Sequence, residues 1–264
     1  MDISPLQSAG WGLALALAIA LPTWAASVPL RDASLADRVW SALIAAPAVL
    51  YAVQLGSDLR TQVMLVILLA WALRLAVYVT WRNWGHGEDR RYQAMRERNQ
   101  PGFALKSLWL VFGLQAMLAW IVGWPVLAAA GGSPAWTPWD GLGAALALGG
   151  VLVESIADAQ LARFRRDPAN RGQVMDRGLW RYSRHPNYFG EACLWWGLGL
   201  MGLAGGGWAA AWCLLSPLMM TVLLLRVSGV TLLEQDMAER RPAYRDYVRR
   251  TSAFIPWPPR APAA

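Results

Sequence analysis

Cysteine and histidine are scarce in this chain of 264 residues, which contains two of each. Cys193 and Cys213 both lie inside apolar stretches, so we expect free thiols and no disulfide framework. His86 and His185 do not stand with other ligands at the spacing of a zinc site, and there is no CxxC pair. The sequence therefore predicts no metal site.

Other absences narrow the class of protein further. Because no GxGxxG motif follows a predicted strand, we do not expect a Rossmann domain. No basic stripe is interleaved with stacking aromatic residues on a soluble domain, which argues against nucleic-acid binding. No nucleophile stands out beside a general base, as a hydrolase would require. Asp2 is the only charge near the first apolar stretch, so we expect a retained membrane helix rather than a cleaved signal peptide.

Apolar residues, in contrast, are abundant. Hydrophobic residues make up 56% of the chain and its mean hydropathy is +0.30, which is a membrane composition. Seven apolar stretches each reach the roughly 20 residues that a helix needs to cross a bilayer. They cover residues 10–29, 38–57, 61–81, 107–130, 139–161, 187–205 and 207–227. We predict an all-α integral membrane protein, a single domain over 1–264 with seven transmembrane helices and an amphipathic C-terminal segment over 231–257.

The basic residues are concentrated on one side of this predicted bundle. Nearly all of the 24 fall between predicted helices one and two, three and four, and five and six, or after helix seven. The connections 131–138 and 203–208 contain none. By the positive-inside rule, the N-terminus is outside and the C-terminus is cytoplasmic, and we expect anionic lipids to contact many of these arginines.

Polar side chains crowd the segment 178–196, GLWRYSRHPNYFGEACLWW, beside a predicted membrane helix. Pro186 suits the first turn of a helix, so we predict that the helix begins near Asn187, with Asn187 and Glu191 on one face. Polar groups at a membrane helix are costly unless they are used.

The residues before that helix suit an anion. The exposed N–H groups of a first helical turn, with Arg184 and His185 preceding them, form a natural seat for phosphate. An alternative interpretation is an interfacial helix start, anchored by arginine and by Tyr182. That alternative leaves Glu191, one turn inside the helix, unexplained.

Two other predicted helices carry charges at depth. Arg74 lies in the middle of helix three with Tyr78 one turn later, and its partner is either an acidic residue or a bound anionic ligand. Helix five carries Glu154 and Asp158 four apart, with Arg165 near the same stripe. These carboxylates can accept hydrogen bonds from sugar hydroxyls or an amide, while the arginines beyond hold phosphates. Alternatively, the carboxylates neutralise local arginines.

Together these groups predict one cavity with an arginine-rich wet end and an apolar deep end. Such a cavity fits a charged cofactor from the cytosol and a lipophilic substrate from the bilayer, with the chemistry supplied by the cofactor. The segment 81–102 is either a lid over the cavity mouth or a solvated connector. The cavity is expected to contain Arg74, Tyr78, Glu154, Asp158, Arg165, Tyr182, Arg184, His185, Asn187, Glu191 and Glu234.

Several motifs in order carry a resemblance to a known family. GEDRRY, ESIADAQLARF, GLWRYSRHPNYFGE and VSGVTLLEQ, with the ending RPAYRDYVRRTSAFIPWPP, resemble the DUF1295 bacterial membrane proteins, which are related to the steroid 5-alpha-reductase and sterol-reductase superfamily. The RHPNY part alone is also similar to isoprenylcysteine carboxyl methyltransferases and related lipid methyltransferases. The resemblance covers residues 74–257 and, more loosely, the whole chain.

The resemblance implies a seven-helix reductase of the bacterial inner membrane that binds NADPH. Hydride would pass to a double bond conjugated to a carbonyl in a sterol-like, isoprenoid or other enone lipid. The positions that match cofactor contacts of steroid reductases are Arg74, Asp158, Arg165, Asn187 and Glu191. Tyr78 matches a tyrosine one turn after the arginine, and we treat it as a catalytic candidate.

The substrate side departs from the steroid reductases, which carry a Gln-Glu pair and a tyrosine three residues before the arginine. Here Trp71 stands three residues before Arg74, and no Gln-Glu pair exists. Candidate substitutes are Asp37, Tyr51, Gln54 and Asp58. Two further hypotheses stay open: an S-adenosylmethionine-dependent lipid or isoprenylcysteine-type methyltransferase, favoured by the RHP-x-Y-x-G core and Glu234, and a non-catalytic lipid-binding protein.

Overall fold

A computed structural model of the chain describes residues 3–227 and 242–260. These residues form helices and connecting turns, and no strand occurs among them. The helices are α1 (Pro5–Leu30), α2 (Leu35–Leu55), α3 (Leu59–Asn83), α4 (Arg90–Arg98), α5 (Phe103–Ala130), α6 (Pro138–Arg166), α7 (Pro186–Gly206), α8 (Trp208–Arg226) and α9 (Pro242–Arg250). Short 3-10 turns cover Pro168–Asn170 and Gly178–Arg181.

Six helices, namely α1, α2, α3, α5, α6 and α8, are long and apolar enough to cross a membrane. The protein is therefore a multi-pass membrane protein. The seventh predicted span coincides with α7, a helix of 21 residues in which Asn187, Glu191 and several glycines lower the hydropathy. The count of seven spans and the orientation of the termini remain predictions.

The first helix begins earlier than the apolar pattern predicted, at Pro5 rather than at residue 10. Ser4 caps it by accepting a hydrogen bond from the backbone N–H of Gln7, and the Gln7 Oε1 accepts one from the backbone N–H of Ser4. This reciprocal capping box, with proline at the first helical position, starts a helix in a polar stretch. Hydropathy marks the membrane core and misses such a start.

The described residues divide into two compact units. The first contains Met1–Asp140 and Met201–Ser216, and the second contains Gly141–Leu200 and Pro217–Ala264. In the first unit, α2 packs against α1, α3 and α5. Small residues let α1 and α2 approach closely: a Cβ added at Gly12 would lie 2.5 Å from Cε1 of the Tyr51 ring.

A buried ion pair joins α3 to α6 at one end of the first unit. The Nε of Arg60 lies 2.6 Å from Oδ1 of Asp140, and its Nη2 lies 3.0 Å from Oδ2. Both side chains are fully buried. The same guanidinium donates to the carbonyl oxygens of Ser133 and Ala135, so this charge is satisfied from several sides.

In the second unit, α6 and α7 pack through glycine. A Cβ added at Gly190 would lie 2.6 Å from the carbonyl oxygen of Gly150 and 2.7 Å from the backbone nitrogen of Glu154. A Cβ at Gly197 would lie 2.6 Å from the backbone nitrogen of Ala147. Any larger residue would force the helices apart, so the small residues set the distance between the two backbones.

Candidate functional site

The close packing of α6 and α7 brings polar side chains together one turn before Gly190 on α7. There the Nδ2 of Asn187 donates a hydrogen bond of 3.1 Å to Oδ1 of Asp158. Asp158 is only 5% exposed. The Oδ1 of Asn187 is also buried, and it has no hydrogen-bond partner among residues 3–227 and 242–260. A buried acceptor without a donor costs about 1–3 kcal/mol, so this atom calls for an explanation.

Two further carboxylates lie on the same turns. Glu154 stands one turn before Asp158 on α6, and Glu191 stands one turn after Asn187 on α7. Both are buried. We call these four residues the acceptor cluster: Glu154, Asp158, Asn187 and Glu191. Because carboxylates and an amide oxygen accept hydrogen bonds, this region suits a ligand that presents hydroxyl or N–H donors.

The loop that leads into α7, residues 178–185, is fixed to α6 at its start. We call it the entry loop. Its Leu179 N–H donates to Oε1 of Gln160 at 3.0 Å, and the indole N–H of Trp180 donates to the carbonyl of Ala157 at 3.0 Å. Gly178 has a φ of +59° and lies against the Gln160 side chain, where a Cβ would clash.

The predicted anion seat before α7 has a different local structure. Arg184 is buried, and its Nη1 donates to the carbonyl oxygens of Thr251 at 2.6 Å and Val248 at 3.2 Å. It therefore binds the C-terminal end of α9, where the helix leaves carbonyls without backbone partners. The ring of His185 stacks on Tyr188 with centroids 5.4 Å apart.

The other predicted cofactor residues occupy more open positions. Arg165 is exposed in the last turn of α6. Tyr182 is 44% exposed, and its carbonyl accepts a hydrogen bond from the N–H of Trp257. Glu234 lies outside the described residues. These placements do not test the predicted cofactor roles, which remain predictions.

Arg74 and Tyr78 belong to the first unit, where both are half-buried on α3. They line a shallow, largely apolar groove together with Ala70, Leu73, Val77 and Trp81. The guanidinium of Arg82 lies 5.7 Å from the centroid of the Tyr78 ring, a cation–π contact. Within this unit the two residues therefore share one face of α3, as their spacing predicted.

Three of the predicted catalytic candidates have well-defined partners. Asp58 caps α3 by accepting a hydrogen bond of 2.8 Å from the backbone N–H of Thr61, an ordinary structural role. Gln54 accepts one of 2.7 Å from the hydroxyl of Ser8. Asp37 accepts one of 2.6 Å from the hydroxyl of Tyr92.

Asp37 is the centre of a wider network. The Nη2 of Arg91 lies 2.8 Å from its Oδ2, and the Nε2 of Gln115 donates to the Tyr92 hydroxyl at 3.0 Å. Burial and the charge of Asp37 both raise the pKa of Tyr92, which therefore stays a neutral phenol. Burial alone would lower the pKa of Arg91, but Asp37 and Asp89 outweigh it and raise this pKa.

Comparison with known proteins places the chain in a family. A family model described as "Protein of unknown function (DUF1295)" matches residues 23–251. The chain belongs to the DUF1295 family. It is also similar to an uncharacterized protein of Schizosaccharomyces pombe, with 25% identity over 274 residues that cover 93% of this chain and 78% of the relative. No solved structure matches.

The network around Asp37 is the feature of this DUF1295 protein that sequence reasoning missed. Two signals pointed to it: Gln115 is the one polar residue in the interior of predicted helix 107–130, beyond its first position, and Tyr92 lies in the polar segment 81–102. A π-helical stretch, Leu108–Gly113, ends two residues before Gln115, and such bulges are frequent at functional positions. Neither signal named Asp37 as the common partner.

Proposed function

We propose that this DUF1295 protein is a membrane-embedded, NADPH-dependent reductase related to the steroid 5-alpha-reductase superfamily. It would transfer hydride to a conjugated carbon–carbon double bond of a lipophilic substrate. The observation that carries the proposal is the buried Oδ1 of Asn187, which has no hydrogen-bond partner in the described part of the chain and lies beside the Asp158 carboxylate. A ligand that donates a hydrogen bond there would remove the cost of this buried acceptor.

The chemistry of the acceptor cluster favours binding of one part of a dinucleotide over the other parts. Carboxylates repel phosphate, because charges of one sign in a region of low dielectric cost free energy. Ribose hydroxyls and the carboxamide of nicotinamide are neutral donors, and they match the acceptors of Asn187 and Asp158. We therefore assign these two residues to the nicotinamide riboside half of the cofactor.

The phosphates need cationic partners. Arg165 and Arg166 lie in the last turn of α6, about two turns beyond Asp158, and both are exposed. Arginine binds phosphate oxygens with two parallel hydrogen bonds, so this end of α6 suits a pyrophosphate or a 2′-phosphate. Arg184 suits this role less well, because its Nη1 already donates to the carbonyls of α9.

When bound, the nicotinamide supplies the hydride, and the protein binds, orients and excludes water. The buried positions of Asp158 and Glu191 provide the dry surroundings in which such orientation is strongest. A hydrogen-bond donor at the substrate carbonyl would stabilise the enolate charge that develops. Six apolar helices agree with a substrate that arrives through the bilayer, an enone lipid of sterol-like or isoprenoid type.

The proposed setting is a bacterial inner membrane, with the N-terminus outside and the C-terminus in the cytoplasm. Its support is the placement of the basic residues, since connections 131–138 and 203–208 contain none. In this orientation the end of α6 that carries Arg165 faces the cytosol, the source of NADPH.

One experiment tests the cofactor assignment. Thermal unfolding of the detergent-purified protein is measured with NADPH, NADH or S-adenosylmethionine added separately. A ligand at about 100 times its Kd stabilises the native state by about 2.7 kcal/mol, so NADPH alone should raise the midpoint. Asp158→Asn should reduce the rise strongly, whereas Gln173→Ala, at an exposed side chain of the same unit, should leave it intact. An equal rise in Asp158→Asn and wild type would contradict the assignment.

A second candidate is an S-adenosylmethionine-dependent lipid methyltransferase. The observation in its favour is the same acceptor cluster, since that cofactor also offers ribose hydroxyls and an ammonium group to carboxylates. The engagement of Arg184 with α9 also leaves one arginine fewer for phosphates. A rise of the unfolding midpoint with S-adenosylmethionine alone would establish this candidate over the reductase.

A further inference from the structure

The C-terminal segment, residues 242–260, is bound to the entry loop along its length. The backbone N–H of Arg184 donates to the carbonyl of Ser252 at 2.8 Å, and the hydroxyl of Ser183 donates to the carbonyl of Phe254 at 2.8 Å. The N–H of Trp257 donates to the carbonyl of Tyr182 at 2.9 Å. Three successive residues of the entry loop are thus held by the same segment.

Two side chains, one from the entry loop and one from α9, add hydrogen bonds between the entry loop and the C-terminal segment. Arg184 reaches from the entry loop to α9, where its Nη1 donates to the carbonyls of Val248 and Thr251. Tyr247 reaches back from α9, and its buried hydroxyl donates to the carbonyl of Trp180, with the carbonyl of Ser183 at 3.3 Å. Both contacts pair buried polar groups of the entry loop with buried polar groups of the C-terminal segment.

The contact through Trp180 continues to α6. The indole N–H of Trp180 donates to the carbonyl of Ala157, the residue immediately before Asp158. Ser183 also accepts a hydrogen bond of 3.1 Å from the N–H of His185, directly before α7 begins. The entry loop therefore connects the C-terminal segment to both helices that carry the acceptor cluster.

The entry loop determines the orientation of Asn187, because of where this residue lies in α7. Asn187 is the second residue of α7, and the first turn of a helix has no preceding turn to hold it. Its orientation depends on the loop before it, and 3-10 turns such as Gly178–Arg181 have weak hydrogen bonds of their own. A binding group needs to be held within about half an ångström to be effective.

We propose that Arg184 and Tyr247 are positioning residues: by fastening the entry loop to the C-terminal segment, they hold Asn187 where its Oδ1 receives a ligand. The ligand is NADPH, so this inference rests on the proposed function for the ligand's identity but not for the mechanical link. The C-terminal segment is then part of the binding site's framework, although it supplies no member of the acceptor cluster.

The test compares three variants of the full chain. Tyr247→Phe removes only the hydroxyl, Arg184→Lys keeps the charge but loses the planar fork, and Arg249→Gln is the control on the exposed side of α9. Hydrogen exchange of the peptide over 183–190 is measured without ligand, and the Kd for NADPH is measured on the same preparations. We expect at least about tenfold faster exchange and about tenfold weaker binding in Tyr247→Phe.

Arg184→Lys should show a smaller effect in both measurements, because the lysine ammonium still donates hydrogen bonds, and Arg249→Gln should match wild type. Exchange over 183–190 that stays at the wild-type rate in Tyr247→Phe would overturn the inference, even if the unfolding midpoint falls. Faster exchange with unchanged NADPH affinity would also overturn it. If wild type binds no NADPH, the proposed function fails, and the exchange rates alone decide the positioning role.

Discussion

Arg60 and Asn187 illustrate two ways in which this protein treats a buried polar group. Arg60 is fully buried, yet its guanidinium is matched by the two carboxylate oxygens of Asp140 and by two backbone carbonyls. Asn187 is matched on one side only: its Nδ2 donates to Asp158, while its buried Oδ1 has no partner among the described residues. The polar atoms of Arg60 are therefore satisfied within the fold, whereas the Oδ1 of Asn187 is not satisfied by any described residue.

The difference separates stability from binding. A matched buried charge is destabilising to break, since its partner is then left charged and unpaired. An unmatched acceptor already destabilises the protein, so removing it should cost the fold little. Both groups lie in or beside apolar helices, and burial alone does not tell them apart. A substitution of Arg60 should therefore lower the free energy of unfolding strongly. A substitution of Asn187 should change the free energy of unfolding little and lower the affinity for the ligand.

The largest loss of stability is expected for a substitution of Arg60. Arg60→Met leaves the Asp140 carboxylate buried, with Thr137 as its only donor among the described residues, and we expect a loss of about 3–5 kcal/mol of stability. Unfolding in detergent by heat or by denaturant measures it. The double variant Arg60→Met with Asp140→Leu should recover much of the loss, because no unpaired charge remains. A single variant as stable as wild type would mean that the pair is not needed for the fold.

A loss of stability of intermediate size is expected at the contact between α6 and α7. Gly190→Ala places a Cβ 2.6 Å from the carbonyl oxygen of Gly150, and backbone atoms cannot move aside as a flexible side chain can. We expect a loss of about 1–3 kcal/mol of stability and weaker NADPH binding, because Asn187 moves away from Asp158.

Gly149→Ala is the matched control for that substitution. Gly149 lies on α6 beside Gly150, but no atom lies within 4 Å of the Cβ it would gain. Alanine is the better helix former by about 0.5–1 kcal/mol, so this variant should be as stable as wild type or slightly more stable. Equal destabilisation by both alanines would show that the helices are not in close contact at Gly190.

The close packing also explains how far the sequence predicted the site. The four-residue spacing of Glu154 and Asp158, and of Asn187 and Glu191, correctly put each pair on one helical face. Apolar length predicted six of the spanning helices, and the family motifs predicted DUF1295 membership. That Asn187 pairs with Asp158 depends on tertiary register, which no local pattern contains.

The hydrogen-bond partners of Arg60 and Arg184 could not be predicted from residue type. Arginine beside an apolar stretch predicts an interfacial anchor or an anion site with equal force. The partners of Arg60 are a carboxylate 80 positions away and carbonyls of a loop, and those of Arg184 are carbonyls more than 60 positions away. Carbonyl groups occur at every residue, so no sequence pattern identifies the ones that a given arginine will bind.

The smallest loss of stability is expected at Asn187, and this substitution is the most direct test of the difference between Asn187 and Arg60. Asn187→Ala removes one hydrogen bond to Asp158 together with the unmatched Oδ1, and the two contributions, each about 1 kcal/mol, oppose one another. Without ligand, the unfolding midpoint should therefore stay close to that of wild type. NADPH affinity should nevertheless fall about tenfold, which corresponds to about 1.4 kcal/mol. A large drop in the ligand-free midpoint would mean that Asn187 is a structural residue like Arg60, and the site would have to lie elsewhere.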